Sequence, residues 1–153
     1  MKLTSILFSI LLCLTSQVSH AALINEMQTC QGLFDFIDTK LNSASAKYAA
    51  GDIKIVRKGL AGYDQYIQSK IVSPGLLQFT GGDQAKANQM QSQVDTYKQN
   101  VVSRLQKRYP QNRLFYDHVV SVNECAKQAV PAGQALEDLK LAMNTMIELA
   151  KIE

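Results

Sequence analysis

His118 is the residue of this sequence whose side chain is best suited to catalysis, because an imidazole can transfer protons near neutral pH. A hydrolytic triad would also need a serine and an acid close to it in space. The sequence contains no Gly-x-Ser-x-Gly, His-Glu-x-x-His or Gly-x-x-x-x-Gly-Lys pattern. Asp117 precedes His118 in a segment that we predict to be helical, so the two side chains should point to different faces. We therefore predict no catalytic residue and no enzymatic activity.

Methionine offers a second kind of chemistry, since a helical bundle can bind haem iron through one Met and one His from different helices. Met27 or Met143 could serve together with His118. The early position of Met27 resembles that in the cytochrome b562 family, and the resemblance implies haem binding in a four-helix bundle. That family has its histidine near the end of its last helix, where this chain has Leu149-Ala150-Lys151. Neither a Cys-x-x-Cys-His nor a Glu-x-x-His pattern occurs. We predict no cofactor and no metal site, and we keep haem or a small ligand as the alternative function.

The N-terminal segment has the pattern of a cleavable export signal. Lys2 supplies a positive start, residues 6–14 form an apolar run, and Ser19 and Ala21 are the small residues that a signal peptidase requires. The apolar run is far shorter than the roughly 20 residues of a membrane-spanning helix. We predict a signal peptide over residues 1–21, no membrane span after its cleavage, and a periplasmic or secreted protein. Residues 22–153 would then form a single domain of 153 − 21 = 132 residues.

The cysteines predict one disulfide. Cys13 would leave with the signal peptide, and the remaining Cys30 and Cys125 would meet in a compartment that permits disulfides. A reactive thiol or metal pair would call for a neighbouring histidine or a Cys-x-x-Cys spacing, which is missing here. Closing a loop of this length would stabilise the fold by about 4 to 5 kcal/mol in the chain-entropy account.

The net charge argues against nucleic acid as a partner. The formal charge of +3 falls by one when Lys2 is removed, which is too little for bulk attraction to a polyanion. Basic residues do gather between Lys98 and Arg113 without an intervening acid. We interpret this run first as cations near a helix C-terminus, where the helix dipole favours them.

Apolar side chains recur at alternating steps of three and four residues, which is typical of helices packed in a bundle. The pattern continues in the segments 53–71, 87–105, 115–129 and 136–150, and no segment shows the alternation of a half-buried strand. We predict an all-α fold, an up-down bundle of four to five helices. The pattern is clearest in the first helix, at Leu23, Met27, Cys30, Phe34, Ile37, Leu41, Ala44 and Tyr48.

Turn residues set the predicted helix ends. Ser73-Pro74-Gly75 should stop the second helix, and Asp83 should cap the third after the pair Gly81-Gly82. Pro110 should break or kink the third helix at Tyr109-Pro110, since proline lacks a backbone donor and disfavours helical geometry in the preceding residue. Pro131 suits the first turn of the last helix, although it could also only kink one long helix.

Two surfaces are candidates for protein contact. Leu76, Leu77 and Phe79 fall in a predicted loop, where apolar side chains either fold back onto the bundle end beside Leu23 and Ile24 or meet a partner. The second is the corner that follows the third helix, whose composition is that of binding hot spots: Arg108, Tyr109, Arg113, Phe115 and Tyr116. We therefore expect a non-enzymatic protein-binding module, acting as a chaperone, inhibitor or immunity-type factor.

Overall fold

The computed structural model of the chain describes the backbone of residues 15–153 and the side chains of residues 21–153. The positive start and the apolar run of the proposed signal peptide, Lys2 and residues 6–14, lie outside the described residues. The signal peptide therefore stays a prediction from the sequence.

The described chain is helical, and no strand occurs between residues 15 and 153. This confirms the predicted all-α fold. A five-residue π turn, Gln68–Val72, joins the second helix to the third without interruption. The helices are α1 Thr15–Ser43, α2 Ala50–Ile67, α3 Ser73–Phe79, α4 Gln84–Arg108, α5 Tyr116–Gln128 and α6 Gln134–Ala150.

The helices run alternately up and down, with α2, the π turn and α3 acting as one descending rod. Thr29 on α1 contacts Tyr97 on α4, and Lys40, 11 residues further along α1, contacts Tyr109 at the end of α4, so α1 and α4 are parallel. The predicted disulfide between Cys30 and Cys125 is present, with the two Cα atoms 5.9 Å apart. It fastens the descending α5 to α1, and α6 then packs along α2. The up-down bundle of five rods with one disulfide is confirmed.

Helix α1 lies at the centre of the bundle and contacts α2, α4 and α5. The predicted apolar stripe is buried from Met27 onward, and Leu23 is half-buried. A second buried stripe, Leu33, Phe36 and Lys40, accompanies it because a helix with neighbours on several sides must bury more than one face. The helix ends at Ser43, earlier than the apolar pattern suggests, and Ala44 and Tyr48 stay buried in the following turns.

The prediction that Ser73-Pro74-Gly75 stops the second helix is wrong. The rod continues through Pro74 to Phe79 because the π turn changes the hydrogen-bond register just before the proline. In this turn the Ser73 amide donates to the carbonyl of Gln68, five residues back. Pro74 falls at the start of the new α-helical register, the part of a helix that tolerates proline best.

The ends of α4 agree with the sequence prediction. Asp83 caps the helix by accepting from the Lys86 amide at 3.1 Å, and Gly81 and Gly82 take the positive φ angles of 65° and 86°. The helix ends before Tyr109-Pro110, as predicted. Pro131 instead precedes α6, which begins at Gln134, so Pro131 lies in the connection and neither starts nor kinks a helix.

Candidate functional site

The segment predicted as a contact loop is the helical tip of the descending rod, and its three apolar residues have different surroundings. Leu76 is 4 % exposed and packs in the core, while Leu77 is half-buried. Phe79 is 67 % exposed, the highest value among the large apolar residues described. The structure therefore leaves Phe79, and not Leu76, available to a partner. Leu76 closes the bundle beside Ile24, in agreement with the alternative that the sequence left open.

A groove of about 300 Å³ runs beside Phe79 between α1, α3 and α4. We call it the Phe79 groove. Its α1 side extends from Ala21 to Gln28 and its α4 side from Met90 to Tyr97, which corresponds to a length of roughly 10 Å at the helical rise per residue. Its lining contains no charged residue: Ala21, Ile24, Asn25, Gln28, Leu76, Phe79, Met90, Gln93, Val94 and Tyr97.

Gln28 supplies a polar group to this apolar groove. Its residue surface is 5 % exposed, and its side-chain amide makes no hydrogen bond with any of residues 21–153. Gln28 therefore offers an amide, which can both donate and accept, to a polar group of an occupant of the groove. Gln28 could not be singled out from the sequence, because a lone glutamine beside the apolar stripe does not indicate that it is buried or lines a groove.

The second predicted surface is also assembled in the structure. The guanidinium carbon of Arg108 lies 5.3 Å from the centre of the Tyr109 ring, and that of Arg113 lies 4.8 Å from the Phe115 ring. The two rings are themselves 5.6 Å apart. Arg108, Tyr109, Phe115 and Arg113 thus form one continuous run of contacts, in which the two rings are tilted by 37°, and we call it the cation–aromatic corner. Tyr116 follows at its edge and is about half exposed.

His118 lies beneath this corner and is 1 % exposed. The rings of Phe36, Tyr109 and Phe115 surround it edge-on, with centroids 5.2, 4.7 and 5.6 Å away. Its Nδ1 accepts from the Phe115 amide at 3.2 Å, which places the proton of the neutral imidazole on Nε2. Burial lowers the pKa of His118 to about 4, and the nearby ammonium of Lys40 acts in the same direction.

This geometry gives His118 a packing role. Its Nε2 has no hydrogen-bond partner among the described residues, and Asp117 accepts from the Tyr109 hydroxyl at 3.0 Å instead of orienting the imidazole. The adjacent acid and imidazole point apart, as the sequence analysis expected.

The geometry does not favour haem ligation by His118. Its Nδ1 is engaged, its Nε2 faces aromatic rings, and Met27 lies nine residues below Phe36 on α1. Neither the Phe79 groove nor the groove between α1 and α2 is lined by Met27, Met143 or His118.

A second groove, between α1 and α2, is acidic. It measures about 500 Å³ and carries Asp35, Asp38 and Asp64 over an apolar floor. Arg57 neutralises Asp38 at 2.5 Å, while burial raises the pKa of Asp35. Within residues 21–153, no three acidic, histidine or cysteine side chains are placed to hold a metal ion. We assign no ligand to this groove.

Comparisons with protein-family models, with curated proteins and with solved structures gave no match. No helix among the described residues combines the length and apolar character needed to span a membrane.

Proposed function

We propose that this protein is an exported, non-enzymatic binding module that holds a partner polypeptide in the Phe79 groove. The observation that carries the proposal is the exposure of Phe79 beside an uncharged, largely apolar groove. Large apolar side chains grouped at the surface mark contact sites more often than chance placement does. Aromatic residues at the centre of such a site supply much of the binding free energy.

The dimensions of the groove favour one class of occupant. A length of roughly 10 Å accepts about two turns of an amphipathic helix, whose apolar face would lie on Ile24, Met90 and Val94. A segment of this kind brings two or three apolar side chains and no buried charge. A polar atom next to them could pair with the side-chain amide of Gln28. The proposed partner is therefore a protein with an exposed amphipathic helix.

The proposed export rests on the sequence pattern of residues 1–21 and is supported by the disulfide, since such bonds persist in oxidising compartments. Ala21 forms one end of the groove. Cleavage after Ala21 would remove that residue and place the new α-amino group of Ala22 at the groove's end.

The test uses a photo-crosslinking aromatic residue in place of Phe79, and in a matched variant in place of Val120. Val120 is 58 % exposed on α5 and serves as the control for exposure alone. We expect one partner to be crosslinked from position 79 and not from position 120 in the exporting host. The identified partner should then bind the purified wild type, with affinity at least tenfold weaker for Phe79→Ser and unchanged for Val120→Ser.

Three results would contradict the proposal. The first is equal crosslinking from both positions, and the second is an unchanged affinity in Phe79→Ser. The third is crosslinking of the protein to itself, which would make the groove an interface between two copies of this chain.

A further inference from the structure

Four basic side chains gather around the cation–aromatic corner without an acidic partner. Arg104, Lys107 and Arg108 are exposed on one face of α4, at the spacing that brings helical side chains together. Arg113 follows in the loop after the helix. None of the four forms an ion pair or a side-chain hydrogen bond with any described residue. Other surface cations, such as Arg57 and Lys58, do pair with a carboxylate.

The helix dipole explains only part of this cluster. Lys107 and Arg108 lie in the last turn of α4, where cations are stabilised by the free carbonyls. Arg113 lies outside any helix, and its guanidinium rests on the Phe115 ring. The helix dipole therefore does not explain why Arg113 joins Arg108 in the cation–aromatic corner.

Stacking prepares the two arginines for binding. Arg108 lies over Tyr109 and Arg113 over Phe115, so each guanidinium has already lost part of its side-chain freedom. An arginine held over a ring still offers the N–H groups at its edge, in the planar fork that matches a carboxylate. The rings are held in turn by His118 beneath them, at 4.7 and 5.6 Å.

We propose that the cation–aromatic corner is a docking site for an acidic segment of a partner polypeptide, whose carboxylates are received by Arg108 and Arg113. The four unpaired positive charges supply the complementarity, and Arg104 and Lys107 extend it along α4. Asp117 is the acid at the edge of the corner, and its carboxylate accepts from the Tyr109 hydroxyl.

A carboxylate-bearing polypeptide fits this corner better than other polyanions do. Single-stranded nucleic acid stacks its bases on free aromatic faces, whereas an arginine lies over one face of Tyr109 and another over one face of Phe115, and the two rings also contact each other. A lipid surface favours exposed apolar side chains beside its cations, whereas both rings are half-buried.

This inference does not rest on the proposed function. The corner and the Phe79 groove lie at opposite ends of α4, and Met90 and Arg108 are separated by roughly 27 Å along the helix. The two surfaces can therefore be tested by separate variants, and failure of one leaves the other intact.

The experiment measures the fluorescence anisotropy of a labelled peptide of eight glutamates spaced by serines, titrated with the purified protein in low salt. We expect saturable binding that weakens as salt is added, because the pairs are at the surface. Arg108→Ala with Arg113→Ala should weaken binding at least tenfold. Arg108→Lys with Arg113→Lys keeps the charge and loses the fork and the stack, so it should weaken binding about threefold to tenfold.

The matched control is Lys70→Ala with Lys86→Ala, which removes two exposed cations, one in the π turn and one in the first turn of α4, at the opposite end of that helix from the corner. The control should bind the peptide with the same affinity as the wild type at the same ionic strength. An equal loss in control and corner variants would overturn the proposal, since bulk charge alone would then explain the binding. Tighter, corner-dependent binding of an oligothymidylate or of phosphatidylglycerol vesicles would also overturn it, because the site would then prefer phosphate polymers or lipid.

Discussion

The ammonium of Lys40 on α1 donates a hydrogen bond of 2.7 Å to the carbonyl oxygen of Tyr109, the residue that ends α4. Lys40 is only 4 % exposed, and its Nζ also lies 5.2 Å from the centre of the Phe36 ring. Burial lowers the pKa of Lys40, which shows that its charge is held at a cost in solvation. The contact places a cation at the negative end of the α4 dipole and fixes where the cation–aromatic corner begins.

Replacing Lys40 with methionine should loosen the corner more than it destabilises the protein. The variant removes a desolvated charge but leaves the Tyr109 carbonyl without its donor, so the two effects partly cancel. We expect the free energy of unfolding to fall by about 1 kcal/mol or less. Amide hydrogen exchange at residues 109–113 should accelerate by more than this loss of global stability accounts for. Uniform acceleration over the whole chain would contradict a local role.

His118 should make the stability depend on pH between about 6.5 and 4. In the unfolded chain His118 titrates near 6.5, and in the folded chain its pKa is lowered to about 4. Between these values the unfolded state binds a proton that the folded state does not, so stability falls as the pH falls and is fully retained above 6.5. The difference, 6.5 − 4, corresponds to about 3 kcal/mol.

The measurement is urea unfolding from pH 7 to pH 4, with His118→Gln as the comparison. Glutamine cannot titrate and can still accept from the Phe115 amide. The plot of the free energy of unfolding against pH should be flatter for the variant than for the wild type over this range. A slope that survives unchanged would assign the dependence to groups other than His118.

Gly59 should tolerate no side chain, because α2 and α6 approach most closely there. A Cβ at this position would lie 2.4 Å from the Ala142 Cβ and 2.4 Å from the Asp138 carbonyl oxygen. Since both helices must separate to admit it, we expect Gly59→Ala to cost about 1 to 3 kcal/mol. Gly62 is on the same helix with open space around it, so Gly62→Ala should gain about 0.5 to 1 kcal/mol. Thermal unfolding of both variants measures the contrast, and equal effects would contradict the close approach.

The features that could be predicted from the sequence are those that depend on residue types and their spacing within one helix. The apolar stripe of α1, the cap at Asp83 and the break at Tyr109-Pro110 all follow from local rules, and the structure has each of them. Continuation of the helix through Pro74 could not be predicted in this way, because it depends on a change of hydrogen-bond register in the π turn.

The residue types of the candidate sites could be predicted from the sequence, but their burial and contacts could be predicted only in part. Arg108, Tyr109, Arg113 and Phe115 could be grouped because they lie close in sequence. The burial of Leu76, Gln28 and Lys40 depends on which helices pack against each of them, and this is a property of the tertiary arrangement that periodicity along one chain segment does not contain.

The disulfide should contribute chiefly through the unfolded chain. Cys30 and Cys125 are 95 residues apart, so Cys30→Ala with Cys125→Ala should lower the free energy of unfolding by about 4 to 5 kcal/mol in the chain-entropy account. The native position of α5 has further support, since the Tyr63 hydroxyl lies 2.7 Å from the Cys125 carbonyl oxygen and 2.8 Å from that of Ala129. The double variant should therefore keep the native helical content, which circular dichroism would show.

Hydrogen exchange distinguishes an effect of the disulfide on the unfolded chain from a local effect on the position of α5. If the bond acts on the unfolded state, the slowest amides of α1, α2 and α6 should all lose protection by the same amount as α5 does, since all exchange through global unfolding. Loss of protection confined to α5 would mean that the bond chiefly holds that helix in place. Adding a reductant to the double variant is the control and should change nothing, whereas in the wild type it should reproduce the loss of stability.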